Sequence, residues 1–394
     1  MKSKGKDTGF QTDNVALIAA THLLHDIYSS FLAPLRPLLI EKFGISLSLA
    51  SLWDLFQRIP WFLNPFIGIL AERAPARYMV IFTPAITAVT MSLLGVAPSY
   101  TVVSILLFVV GISSATFHVP SPVMVKKVSG TQTGKGMSFY MFGGEIARTL
   151  GPLVITGAVS LWGLEGTWKL IPFGIVASLI LYARLRKVKI STEFRKEGPQ
   201  PGFWITFKKM LPFFAILIGI TFFRAIMKSG LTAFLPTYYY HDKGESLWIA
   251  NSALSIFQLA GALGTIVSGT LSDRLGRKTA LLIIAAVTPV LMFLFISIQG
   301  FFSIVLLILL GFFIFAPGPV LLALVQDIGI EKPVFANSIY MTISFVTASI
   351  SVVIAGFLGD WIGLADTYKV AALLALGAIP FVLMLPGKDK PGSQ

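Results

Sequence analysis

The sequence predicts an all-α membrane protein of twelve transmembrane helices arranged as two pseudo-symmetric six-helix bundles. Three observations predict it. Of the 394 residues, 55% are apolar and only 12% charged, about half the charge of a soluble domain, so the chain lacks the polar surface to stay in water. Apolar stretches of about 20 residues, enough to cross ~30 Å of hydrocarbon as a helix, recur from Val15 to Leu385. The second half of the chain also repeats motifs of the first at a displacement of about 200 residues.

The first six spans fall at 14–40, 46–71, 78–96, 100–123, 136–161 and 168–185. The second six fall at 211–238, 247–271, 279–297, 300–325, 335–358 and 367–386. A polar, basic leader precedes the first span, which runs on without a small-residue cleavage site and so reads as a helix rather than a removable signal. Between the two sets, Arg184 to Lys209 carries eight basic and two acidic residues around Gly198, Pro199, Pro201 and Gly202, the composition of a flexible loop. The predicted organisation is an N-terminal bundle over 1–185, a basic cytoplasmic linker over 186–210 and a C-terminal bundle over 211–394.

Basic residues of short loops are held on the cytoplasmic side. With both termini inside, 22 Lys and Arg residues fall in inside segments, and only Lys42, Lys169, Lys243 and Lys369 lie opposite. This distribution predicts a multi-pass membrane protein with cytoplasmic termini. It also accounts for most of the net charge of +13 without a nucleic-acid partner. Cysteine is absent, which excludes disulfides, thiolate nucleophiles and cysteine-bound metals.

The repeat is carried by ordered pairs. Gly68-x-Leu70-Ala71-Glu72-Arg73 answers Gly269-x-Leu271-Ser272-Asp273-Arg274, and Phe56-Gln57 answers Phe257-Gln258. Ser138-x-Tyr140-Met141 answers Ser338-x-Tyr340-Met341, and Gly163-Leu164 answers Gly363-Leu364. A parallel six-plus-six repeat places its site near the midplane and suits alternating access.

The segment Gly269-Thr-Leu-Ser-Asp-Arg-Leu-Gly-Arg-Lys278 resembles the loop signature of the major facilitator superfamily, between the second and third spans of a half. The resemblance implies a cytoplasmic gate at Gly269, Asp273, Arg274, Arg277 and Lys278, with a degraded first-half copy at Gly68, Glu72 and Arg73. Within that superfamily the chain is similar to the fosmidomycin-resistance-like transporters. The residues carrying this are Thr21-His22-Leu-Leu-His25-Asp26, Phe56-Gln57, Phe117-His118, Pro120-Ser121, Gly143-Gly144, Leu150-Gly151-Pro152, Arg224 and Thr232-x-Phe234-Leu235-Pro236-x-Tyr238-Tyr239. That likeness implies an inner-membrane exporter driven by the proton gradient and acting on small anionic drugs of the phosphonate class.

Independently of family, charge at membrane depth marks function, because each charged side chain costs about 2.5–3.5 kcal/mol at a helix centre. Asp54 and Arg58, four apart, and Glu145 and Arg148, three apart, lie on one helix face and can neutralise each other, with structural pairing within or between helices and substrate contact as the open readings for both. That leaves Asp26 with His22 on the first span, Arg224 with Lys228 on the seventh, and Arg36 near the outer end of the first. Arg224 and Lys228, with Arg36, are the expected anion-binding cations, since Arg offers a fork of donors and Lys an adjustable point charge. A bridge from Asp26 or Glu145 to these cations, broken during transport, is the competing reading. Asp26, His22, His25 and Glu145 are the candidate proton carriers. His118 is expected to cap or to hydrogen-bond at the cytoplasmic end of the fourth span, and His241 to be solvated. Gln57, Gln258, Tyr140 and Tyr340 are uncharged hydrogen-bonding groups placed to line a cavity.

No Walker loop, zinc-protease helix or nucleophile elbow occurs, so an enzyme is excluded and no cofactor is needed beyond the proton gradient. The expected function is a proton-coupled antiporter exporting a small anion, acting as a monomer in the bilayer. An anion importer, a lipid-anion flippase of the same fold and a transport-inactive receptor are the alternatives.

Overall fold

The computed structural model describes residues 10–64, 67, 76–130, 132–186, 203–327 and 333–385, and among them all regular structure is helical. The chain divides into two units, Met1–Gly44 with Leu52–Lys196, and Ile45–Ser51 with Glu197–Gln394.

In the first unit the opening apolar run splits into α1 (Thr12–Ser29) and α2 (Leu32–Phe43). Pro34 has no N–H to offer the carbonyl of Ser30, so the ladder breaks there. After α3 (Leu47–Arg58) a 3₁₀ turn covers Ile59–Leu63, and α4 spans Ala76–Ser92. The hydroxyl of Ser99 accepts from the Val102 N–H at 3.4 Å and so starts α5 (Tyr100–His118). Pro120 separates α5 from α6 (Ser121–Val128), and the long α7 (Thr133–Trp162) is followed by a 3₁₀ stretch and α8 (Ile171–Leu185). The core of this unit gathers Val15, Ile18, Val80, Ile81, Phe117, Val125, Tyr140 and Leu181.

The second unit repeats the plan. It comprises α9 (Phe203–Thr237), α10 (Leu247–Leu275), α11 (Arg277–Ser297), α12 (Phe301–Phe315), α13 (Pro317–Asp327), α14 (Pro333–Ala375) and α15 (Ala378–Leu383). Its main pairing, α9 on α14, corresponds under the repeat to α1 on α7 in the first unit. Phe214, Leu217, Ile220, Leu281, Val320, Leu321 and Tyr340 form its core. The unit includes the short segment Ile45–Ser51, where the Asp360 carboxylate accepts the N–H groups of Leu47 at 2.7 Å and Ser48 at 2.9 Å. Those are orphan donors of a helix start, and an anion there is stabilising.

Eight helices among the described residues are long and apolar enough to cross a bilayer, against the twelve spans read from sequence. Part of the second expected span lies outside the described residues. The third is only 17 residues long as α4. The fifth, α7, carries Glu145 and Arg148 near its middle. The last two, at 335–358 and 367–386, run together as one apolar stretch bent at Gly363, with φ 79° and ψ 161°. Its repeat partner Gly163 takes nearly the same conformation, φ 73° and ψ 171°.

That region of backbone space is open essentially to glycine alone. Gly163→Ala and Gly363→Ala are each expected to destabilise the protein by about 1–3 kcal/mol. Thermal denaturation of the purified variants checks this, and unchanged melting at both positions contradicts it.

Candidate functional site

The first unit contains a buried polar cluster where α1, α5 and α7 meet. His22 and Asp26 lie one turn apart on α1 and are 4% and 8% exposed. Nδ1 of His22 is 2.7 Å from the backbone carbonyl of Tyr140 on α7. A carbonyl only accepts, so this nitrogen carries a hydrogen and donates. Nε2 of the same ring lies 3.2 Å from an Asp26 oxygen. A neutral ring protonated on Nδ1 would aim its lone pair at a carboxylate, so the contact is favourable only with a cation, such as a further proton, between the two groups. Nε2 of His118 approaches the other Asp26 oxygen at 3.4 Å, and its Nδ1 lies 3.4 Å from the Tyr140 hydroxyl. That hydroxyl is also 2.6 Å from Ser121 Oγ. The rings of His22 and Tyr140 stack, with centroids 4.0 Å apart.

Glycine on α7 makes this possible. A Cβ on Gly144 would stand 2.6 Å from His22 Cε1, so only a bare α-carbon lets the ring lie against the helix. This gives Gly143-Gly144 a physical meaning that the sequence left open.

The His118 side chain turns to Asp26 just before the chain break at Pro120. His25 lies beside the cluster instead of in its line of contacts. Ser113 donates to the Thr83 carbonyl at 3.1 Å, so Thr87 must donate to Ser113 at 2.8 Å, and His25 Nδ1 must then donate to Thr87 at 3.2 Å. The His25 ring is also stacked on Phe117 at 4.4 Å. Thr87 and Ser113 are participants that sequence reasoning missed, since lone hydroxyls on apolar helices give no pattern.

Two expected ion-pair assignments change. Asp54 binds Arg36 of α2 rather than its own helix neighbour Arg58. Arg36, expected among the anion-binding cations, is fully buried in that pair. Glu145 and Arg148 meet across one turn at 3.1 Å, which engages Glu145, also named as a proton carrier. Gln57 donates to the Ser29 carbonyl at 3.3 Å, filling a vacancy left by the α1–α2 break.

In the second unit, Arg224 and Lys228 lie one turn apart on α9, both half-buried. Arg224 donates to the Ile314 carbonyl at 3.2 Å, near the break between α12 and α13, and the Lys228 ammonium sits 4.4 Å from the centre of the Phe315 ring. Arg224 also lines a cavity within this unit whose other walls are mostly apolar, including Ile220, Met227, Ile284, Pro289 and Phe313. Gln258 and Tyr340 are buried in the same unit.

The loop signature is locally self-satisfied. Asp273 pairs with Arg277 at 2.6 Å across the α10–α11 turn, and Arg277 also donates to Ser272. Lys278 donates to the carbonyls of Leu383 and Leu385 at 2.6 and 2.8 Å, tying down the end of α15. Arg274 is exposed. Gly269 does not mark a close helix approach within this unit, because a Cβ there would meet only Pro319, at 3.9 Å. The first-half copy, Gly68, Glu72 and Arg73, lies outside the described residues.

Residues 18–329 match the family model of the Major Facilitator Superfamily. The chain is similar to the Fosmidomycin resistance protein of Escherichia coli (strain K12), 23% identical over 366 residues that cover 91% of this chain and 89% of that one. It is also similar to the Probable nitrate/nitrite antiporter NarK1 of Thermus thermophilus, 26% identical over 252 residues, 60% of this chain and 56% of that one. Among solved structures, a bacterial homologue of the human lysosomal transporter Spinster in an inward-facing, occupied conformation aligns with a TM-score of 0.78 at 14% identity. That alignment covers 95% of this chain and 96% of the other, a likeness of fold.

Two outcomes follow from the packing. Gly144→Ala is expected to cost about 1–3 kcal/mol by displacing the His22 ring, while Gly269→Ala leaves thermal stability near that of the parent; equal melting of the two variants contradicts the contact. Removing one partner of the Arg36–Asp54 pair by Asp54→Ala is expected to cost about 3–5 kcal/mol, most of it recovered when Arg36→Met is added. A double variant as unstable as the single one contradicts the pairing.

Proposed function

Because the chain belongs to the major facilitator superfamily, it is a multi-pass membrane transporter of small molecules that works by alternating access, and we propose that it is a proton-coupled antiporter exporting a small organic anion. One observation carries the coupling. His22 already donates through Nδ1 to a carbonyl, so its Nε2 contact with Asp26 at 3.2 Å is favourable only with a positive charge between the two groups, which in the transport cycle is a proton. Release of that proton sets a lone pair against a carboxylate. The His22 ring or the Asp26 side chain must then turn, and His22 is what ties α1 to the Tyr140 carbonyl of α7. Proton loss is thereby converted into a loosening of one helix pair, the kind of two-state element that alternating access needs.

The anion assignment is supported by Arg224 and Lys228. A carbonyl acceptor holds the Arg224 guanidinium in place without cancelling its charge, and the Lys228 ammonium lies over an aromatic face one turn away. The names of the two relatives, fosmidomycin resistance and nitrate/nitrite antiport, accord with an anionic substrate. Twelve spans in two bundles, cytoplasmic termini and a monomer acting in the inner membrane complete the reading, supported by the placement of basic residues. On this reading Asp273, Arg277 and Lys278 belong to the cytoplasmic gate.

The test is flux in proteoliposomes under an imposed pH gradient, with fosmidomycin and simple carboxylates as probes. Anion movement opposite to proton flow is expected. Asp26→Asn is expected to abolish gradient-driven flux while sparing anion-for-anion exchange, and Arg224→Ala to lower flux by roughly tenfold or more. Flux in the direction of the protons, transfer of labelled lipid between leaflets without a soluble anion, or transport of a cationic compound indifferent to Arg224→Ala each overturns the proposal.

A further inference from the structure

We infer that His22, Asp26 and His118 form a binding site for a divalent transition-metal ion of the zinc type, at the seat where the transport reading places a proton. The site goes beyond that reading although it shares residues with it.

Four features of the cluster point to a metal. The donor set is two imidazoles and one carboxylate, with ligand atoms all within 4.8 Å of one another. Nitrogen and oxygen donors of this kind suit zinc, cobalt or nickel better than magnesium or calcium. Second, each imidazole stands off its own Asp26 oxygen, His22 from Oδ2 and His118 from Oδ1, by about the edge length of a coordination shell. Charge-assisted N–H···O contacts contract to about 2.7–2.9 Å, yet these contacts are 3.2 and 3.4 Å. Four donors placed about 2.0–2.1 Å from a tetrahedral zinc stand about 3.3 Å from each other.

Third, both imidazoles are oriented as metal ligands are. A ligating histidine directs its remote nitrogen to an oxygen partner and so fixes its tautomer. His22 Nδ1 donates to the Tyr140 carbonyl at 2.7 Å, and His118 Nδ1 lies 3.4 Å from the Tyr140 hydroxyl. Both Nε2 atoms are thereby turned to Asp26. One backbone-anchored residue, Tyr140, holds the outer face of both rings, and Ser121 steadies its hydroxyl at 2.6 Å. Fourth, one Asp26 oxygen, Oδ1, is buried and is approached only at 3.4 Å, by His118 Nε2. A buried carboxylate oxygen met at that distance is better answered by a cation between the two groups.

Access and an open position follow from burial. The side chains of His22 and Asp26 are 6% and 11% exposed, but that of His118 is 25% exposed. His118 is thus the most accessible of the three ligands. Three protein ligands leave a fourth position for water, as in sites that exchange ligands. The bound ion contributes two positive charges against one carboxylate, so it displaces the proton and excludes its return. Micromolar metal is therefore an inhibitor of proton-coupled flux, competing with protons.

The experiment uses the purified full-length protein, freed of any affinity tag, and titrates it with Zn²⁺ and separately with Co²⁺. Expected results are a rise in melting temperature with Zn²⁺ and the visible absorption of four-coordinate Co²⁺ at one ion per chain. His118→Gln and Asp26→Asn are expected to weaken binding at least tenfold, while His241→Ala in an outer loop leaves it unchanged. Absence of a cobalt spectrum, binding weaker than millimolar, or equal affinity in His118→Gln and the parent overturns the site. The two readings fail separately. If Asp26→Asn still abolishes gradient-driven flux but the parent binds no metal, the metal site alone falls. If the parent binds metal but Asp26→Asn retains proton-driven flux, the proton reading alone falls.

Discussion

A charge inside hydrocarbon must be answered by another group in the same helical packet, and this constraint organises both units of the chain. Arg36 is answered by Asp54, Arg148 by Glu145 and Asp26 by two imidazoles. Arg224 and Lys228 are held by a carbonyl and an aromatic face. The first two solutions place a formal negative beside a formal positive, and such pairs stabilise the bundle only because breaking them would strand a buried ion. The other arrangements differ. A carboxylate between imidazoles can gain or lose a proton, and a guanidinium on a carbonyl keeps its full charge.

The two kinds of group are held by different devices. In the first unit the adjustable cluster depends on a glycine, Gly144, that lets a ring lie against a helix backbone, and on Tyr140, whose carbonyl and hydroxyl face two different histidines. In the second unit the cations depend on a proline-rich break between α12 and α13, where side-chain donors reach main-chain carbonyls, Arg224 at Ile314 and Ser268 at Ala316. Backbone irregularity is tolerated at membrane depth where it is covered by protein. Here it supplies the acceptors that the site uses.

Much of the site was legible in residue spacing, and the failures have a common cause. His22 and Asp26, like Arg224 and Lys228, sit four apart on continuous helices, so their shared face followed from helical periodicity. Asp54 and Arg58 have the same spacing, yet Asp54 turns to Arg36 on another helix. Spacing states which groups can meet along one helix, but it is silent about a better partner on a neighbour. For His118, proximity to a helix end left capping and hydrogen bonding both open, while the structure directs its ring to α1. The Thr87–Ser113 relay to His25 crosses three helices and leaves no trace in any one of them.

By itself, the amino-acid order determined the membrane environment, the helical architecture, the twofold repeat and the residues too costly to place at random in a bilayer. These follow from transfer free energy and from periodicity, which are additive along the chain and need no knowledge of partners. Tertiary structure alone decided which charge neutralises which, which ring nitrogen donates, and which glycine admits a side chain. Those outcomes depend on distances of a few tenths of an ångström between helices far apart in sequence, where directional hydrogen bonds and steric exclusion, not hydrophobicity, select the arrangement.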